Sequence, residues 1–166
     1  MKNLIVIISL VVFVQSYAQN DSIEMRKIDS LSYRIASESS RINSQSNIKL
    51  DSVKVSVKKF DNKIETENQF PSGSNLSIIY YLNKSELILV KVTERCPTNK
   101  EYSNYTDFYF KHGKIKKIRN YHNVSMCIAI PLNESFYDTY GYNENLNNDF
   151  LKPYIKKLHD YMTNHR

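Results

Sequence analysis

The chain has 166 residues, 41% hydrophobic and 24% charged, with three Gly, two Cys, no Trp and a formal charge of +6. Gly and Cys are too scarce for a collagen-like or disulfide-dense chain, and a mean hydropathy of −0.51 with one long apolar run excludes a polytopic membrane protein. With 12% aromatics and many β-branched residues, full disorder is excluded as well, and the length suits one globular domain.

The first residues read MKNLIVIISLVVFVQSYAQN. Lys2 is a short positive start, Leu4 to Val14 is apolar, and Ser16 and Ala18 put small side chains at −3 and −1 of a cut after Ala18. Residues 1–18 thus have the pattern of a secretory signal peptide. The apolar run is shorter than the roughly 20 residues a membrane span needs, so no stable span is expected after signal removal. No Cys at the cut supports a lipid anchor. Cleavage would start the chain at Gln19 and, by removing Lys2, lower the formal charge from +6 to +5. The expected destination is the periplasm or the extracellular space.

Residues 19–48 are Ser-rich, without Gly or Pro, and read as a helix or a flexible stalk. Ile28, Leu31, Ile35 and Ile42 share a heptad stripe with Glu38 and Gln45, which predicts an amphipathic helix from Asn20 to Asn47. The serines work against it, because Ser competes for backbone hydrogen bonds.

Residues 49–166 read as a single α+β domain. Val53, Val55 and Val57 alternate with Lys54, Ser56 and Lys58, the pattern of a half-buried strand. Asp61-Asn62 offers a turn, and Ile64-Glu65-Thr66 starts the return strand. Pro71 to Asn75 is a loop. Leu76 to Leu82 and Glu86 to Thr93 form a predicted hairpin turning near Asn83-Lys84. Thr106 to Lys111 and Lys114 to Tyr121 form another, turning at His112-Gly113, where Gly can supply positive φ. Val124 to Ile130 is the last predicted strand, stopped by Pro131. From Asn147 to Tyr161 the spacing is helical, with Leu151, Tyr154, Ile155, Leu158, Tyr161 and Met162 on one face, Asn148 or Asp149 as cap, and Pro153 in or near the first turn. The expected fold is an antiparallel β-meander flanked by an N-terminal amphipathic helix and a C-terminal helix.

The two hairpins repeat each other at an offset of 28 residues: Tyr80-Tyr81-Leu82-Asn83-Lys84-Ser85-Glu86-Leu87 aligns with Phe108-Tyr109-Phe110-Lys111-His112-Gly113-Lys114-Ile115. Together with the signal ending in Tyr-Ala-Gln, these Tyr/Phe-rich hairpins resemble small exported proteins of Bacteroidetes-type bacteria. The resemblance covers the signal and residues 76–121. It implies a habitat and carries over no catalytic residue. Asp21-Ser22-Ile23, Asp29-Ser30-Leu31 and Asp51-Ser52-Val53 match the Asp-Ser/Thr-apolar pattern that such bacteria use for O-glycosylation; capping and turn formation explain the same residues.

In an oxidising compartment Cys96 and Cys127 are expected to pair. The loop so closed has about thirty residues, worth about 3 kcal/mol in the chain-entropy model. The alternative is a reactive thiol served by His112 or His122, but no nucleophile motif surrounds either Cys. HExxH, CxxC, GxSxG and phosphate-cradling Gly-rich loops are absent from the sequence. Neither a cofactor nor a metal is expected.

Glu86, Glu94, Asp107 and Glu134 lie on or beside strands, and a pair of them could serve acid–base chemistry. That keeps open a small hydrolase acting on an envelope or extracellular polymer. The favoured reading is a non-catalytic interaction module that binds an envelope component, a glycan or a protein partner, an inhibitor or immunity-type protein being one form of it. Lys114, Lys116, Lys117 and Arg119, interleaved with aromatics, suit an anionic glycan or an acidic protein; export argues against nucleic acid. Lysines also protect edge strands from aggregation. Eleven of the thirteen Tyr fall from Tyr80 onward, and Tyr140 and Tyr142 mark a candidate recognition loop.

Overall fold

The computed structural model describes residues 22–39, 41–95, 103–123 and 147–164. Cys96, Cys127, Tyr140, Tyr142, Glu134 and the predicted strand Val124–Ile130 lie outside the described residues. The chain divides into two compact units, Met1–Glu38 and Ser39–Arg166.

In the first unit helix α1 covers residues 22–38. Its serines are accommodated by back-bonding: the hydroxyls of Ser32 and Ser37 donate to the carbonyls of Asp29 and Arg34, 2.8 Å each. The helix is shorter than the heptad stripe predicts. Ile42 lies beyond its end, and Gln45 belongs to a strand. Consecutive serines at 39 and 40, with their preference for non-helical backbone, stand where the stripe is interrupted.

In the second unit the strands are β1 (Ser44–Leu50), β2 (Val53–Lys59), β3 (Lys63–Gln69), β4 (Asn75–Asn83), β5 (Glu86–Arg95), β6 (Ser103–Lys111) and β7 (Lys114–Asn123), followed by helix α2 (Asn148–Asn164). Among the described residues they form one sheet in the order β1-β2-β3-β4-β5-β6-β7, each antiparallel to its neighbours. The predicted α+β meander is therefore the observed fold, with β1 as an addition.

The sheet face that packs on α2 carries the main core cluster, and Tyr81, Leu89 and Tyr109 are buried on the other. Val55, Val57, Ile64, Leu76, Ile78, Tyr80, Val90, Val92 and Phe108 cluster with Leu151, Tyr154, Ile155, Leu158 and Met162 of α2. The strand side chains alternate faces, and the helix supplies its i, i+3, i+4, i+7 stripe. Three hydrogen bonds fasten the layers: Tyr80 hydroxyl to Ile155 carbonyl (3.1 Å), Tyr154 hydroxyl to Asn68 Oδ1 (2.8 Å) and Lys59 ammonium to Met162 carbonyl (2.7 Å). The last places a cation at the negative end of the helix. Burial raises the pKa of both tyrosines, with neighbouring Tyr154 adding at Tyr80 and Asp51 adding at Tyr154, so both hydroxyls stay protonated donors.

The cap of α2 differs from the sequence expectation by one residue. Asn147 Oδ1 accepts from the amides of Asp149 (3.0 Å) and Phe150 (3.1 Å), so Asn147 is the cap. Pro153 sits in the second turn rather than the first, on the exposed side, where its missing N–H removes the bond to the Asp149 carbonyl.

His159 of α2 packs on the Tyr80 ring, centroids 5.6 Å apart. Its Nε2 is buried with no hydrogen-bond partner among the described residues, while Nδ1 lies 3.9 Å from Asp160 Oδ1. Burial lowers the His159 pKa from 6.5, and the Asp160 carboxylate opposes the shift without cancelling it. The sign follows: the unfolded chain takes up the proton first. Stability conferred by neutral His159 is complete above pH 6.5 and is lost as pH falls from there through the lower folded pKa. Urea midpoints measured from pH 7.5 to 5 should fall in this window, and His159→Phe, which keeps the ring contact, should flatten the slope. A slope unchanged in that variant would place the titrating group elsewhere.

Candidate functional site

The hairpin repeat seen in the sequence is repeated in geometry. Lys84 and Ser85 (φ 50° and 68°) and His112 and Gly113 (φ 50° and 70°) both take the two left-handed residues of a type I′ turn. The first turn thus falls at Lys84-Ser85, one residue beyond the sequence expectation. In β4–β5, Tyr81 faces Leu89 and Leu82 faces Leu87, which leaves Ile88 as an extra residue. In β6–β7, Tyr109 faces Lys117 and Phe110 faces Ile115, which leaves Lys116. Turn and bulge recur at the same offset of 28.

The second bulge decides where the basic residues point. Ile115 and Ile118, three apart, both pack against the core cluster, which a regular strand cannot achieve. Consequently Lys114, Lys116, Lys117 and Arg119 are all directed to the other sheet face, together with Tyr121. All five are exposed. The row is about 20 Å long at the usual strand rise. All four predicted basic site residues are thereby brought together on β7, an outermost strand of the described sheet. Lysines on an edge also discourage strand addition, and that role is compatible with ligand binding.

Behind this row lies an aromatic and charged lattice. Tyr105 and Tyr121 face each other across β6–β7 and stack, centroids 4.9 Å apart and planes within 9°. The Arg119 guanidinium lies 5.3 Å from the Tyr109 ring and 5.6 Å from the Tyr121 ring. Its Nη2 and Nε both donate to Asp107 Oδ2, at 2.6 and 3.2 Å. The Asp107 side chain is 2% exposed and that of Arg119 is 44% exposed, so the pair joins the sheet interior to its surface. One register line across this face reads Lys58, Glu65, Ile79, Lys91, Asp107, Arg119. Opposite charges alternate along it, and cross-strand neighbours of opposite sign support each other. Lys91 also lies 5.9 Å from the Tyr81 ring, whose hydroxyl pKa is raised by burial and by the nearby Glu65 and Asp107 carboxylates.

The described candidate carboxylates, Glu86, Glu94 and Asp107, do not converge. Glu94 is on the helix-packed face, opposite Leu76 and Asn104 in register, whereas Asp107 is on the other face. Glu86 is at the tip of the β4–β5 turn, where Oε1 accepts the His112 amide at 3.1 Å and ties the two hairpin tips together. His112 lies in the β6–β7 turn and residue 122 near the far end of β7. Among the described residues no group of three or more His, Cys, Asp and Glu could hold a metal ion. No described helix is long and apolar enough to cross a membrane.

Tyr105 is the site residue that sequence reasoning missed. Its signal was the spacing of two in Tyr105, Asp107 and Tyr109, which places all three on one strand face. No family model, curated protein or solved structure matches this chain.

Proposed function

We propose that the protein is an exported, non-catalytic binding module whose β7 face holds an anionic envelope component, a glycan or an acidic protein. The observation that carries this reading is the bulge at Lys116, which directs Lys114, Lys116, Lys117 and Arg119 to one side together with an exposed tyrosine. Four cations within about 20 Å create a local positive field. Arg119 is pre-oriented by Asp107, which lowers the ordering cost of binding. Signal-type residues 1–18 and the Cys96–Cys127 pair belong to the same reading.

The test is retention of the full chain on immobilised heparin. Wild-type protein should elute as salt rises, because exposed charges are screened within about 8 Å at physiological ionic strength. The double variant Lys116→Glu/Lys117→Glu should bind about 30-fold more weakly or worse, taking ~1 kcal/mol for each lysine facing an anionic surface. Retention indifferent to salt, or unchanged in the double variant, would reject the electrostatic reading. Protein recovered from the native host should begin at Gln19 and carry Cys96 joined to Cys127; a chain retaining Met1 and free thiols would reject export.

A further inference from the structure

We propose that the ligand of the β7 face is an acidic polysaccharide, with a sugar ring resting against Tyr121 and carboxylates of the chain facing Lys116 and Lys117. This inference rests on the proposed function and narrows it to one chemical class. The cations alone would accept any polyanion, so the aromatic groups decide.

Tyr105 and Tyr121 stack on each other across β6–β7. Of the two, Tyr121 is exposed and Tyr105 half-buried, so among the described residues the row carries one exposed ring. Binders of single-stranded nucleic acid instead present separate rings to successive bases. Tyr121 is 41% exposed at the outermost described strand, at the opposite end of the row from Lys114. One aromatic platform followed by a line of point charges matches a polymer in which one ring needs an apolar seat and the other units contribute charge. The charges themselves are mostly lysine. Lysine is a compact charge on a flexible stem and suits anionic groups spaced along a flexible chain, whereas the planar fork of arginine grips a single carboxylate or phosphate through two bonds. The single arginine of the row already donates two N–H groups to Asp107.

Titration calorimetry at constant ionic strength would compare an oligogalacturonate, an inorganic polyphosphate of matched charge and an oligothymidylate. The wild-type chain should bind the oligogalacturonate most tightly. Tyr121→Ala should weaken that binding roughly five- to tenfold, the usual scale of one aromatic contact, and leave polyphosphate unchanged, while Tyr121→Phe should retain wild-type affinity. If alanine disturbs the hairpin, as judged by the unfolding midpoint, Tyr121→Leu removes the ring while keeping apolar volume and is read in the same way. Equal or tighter binding of polyphosphate or oligothymidylate by the wild type overturns the inference, as does a Tyr121 variant that weakens both polyanions equally or neither. In those cases the cationic face stands as a general anion site. Wild-type protein that binds none of the three would overturn the proposed function together with the inference.

Discussion

Arg119→Ala should lower stability by about 2–3 kcal/mol in urea unfolding. The loss comes through Asp107, whose side chain is 2% exposed. Removing one partner of a buried pair leaves an uncompensated charge and typically costs about 3–5 kcal/mol, whereas an exposed pair is worth about 0–1 kcal/mol. Arg119 is 44% exposed, so its own contribution is screened and the expected loss lies between these limits. Asp107→Asn should cost less, about 1 kcal/mol, because it removes the buried charge and leaves a guanidinium within reach of water. The double variant Arg119→Ala/Asp107→Asn should therefore be more stable than Arg119→Ala alone. Arg119→Lys keeps the charge but cannot offer two parallel N–H groups from a planar fork, and it should recover only part of the loss. An Arg119→Ala variant within about 0.5 kcal/mol of wild type would mean that Asp107 is held by other groups. The same substitution removes one cation from the β7 row, so ligand binding has to be measured where the variant is fully folded.

This residue also shows what could and could not be read from the sequence. The run of basic residues was legible as a run. Strict alternation, however, would have placed Lys114 and Lys116 on one face and Lys117 and Arg119 on the other. Their common face depends on one extra residue in the ladder, and the only local trace of it is the spacing of three between Ile115 and Ile118. The hairpins themselves were legible because alternation and turn chemistry agree, and the repeat at 28 carried through to turn and bulge alike.

Other elements were hidden for physical reasons. β1 reads as a polar tract because Ser44, Gln45, Ser46 and Asn47 are all exposed at the edge of the described sheet; a strand wet on both faces has no period-2 signal. Its pairing with β2, from Ser44–Lys59 to Leu50–Val53, is supplied by the neighbour rather than by its own pattern. In β3 the start at Ile64-Glu65-Thr66 was legible, and the continuation was hidden for the opposite reason. Thr66 and Asn68 occupy core positions at 1% exposure each, so the buried face of this strand reads as polar.

Asn68→Ala should be the most costly polar substitution in the sheet, at about 3 kcal/mol. The buried amide is fully used: Nδ2 donates to Thr66 Oγ1 (2.8 Å) and to the Leu76 carbonyl (3.1 Å), and Oδ1 accepts the Tyr154 hydroxyl (2.8 Å). Thr66 in turn donates to the Ile78 carbonyl at 3.4 Å. Truncation would leave the Tyr154 hydroxyl without its acceptor and open a small void, and each unsatisfied buried group costs about 1–3 kcal/mol. Tyr154→Phe removes one donor and strands one acceptor lone pair, for about 1–2 kcal/mol. Because the two side chains share a bond, the double variant Asn68→Ala/Tyr154→Phe should cost less than the sum of the single losses. Asn68→Leu/Tyr154→Phe offers a further contrast. With both partners apolar, stability could return close to wild type, but the network that matches β3 to β4 and to α2 would be gone. Val55, Val57, Leu76 and Ile78 would then face an apolar strand that tolerates neighbouring registers more readily. Native-state hydrogen exchange on β3 should detect that loosening even where the unfolding midpoint does not move. Protection of β3 amides equal to wild type in the apolar double variant would show that register is set by the flanking turns instead.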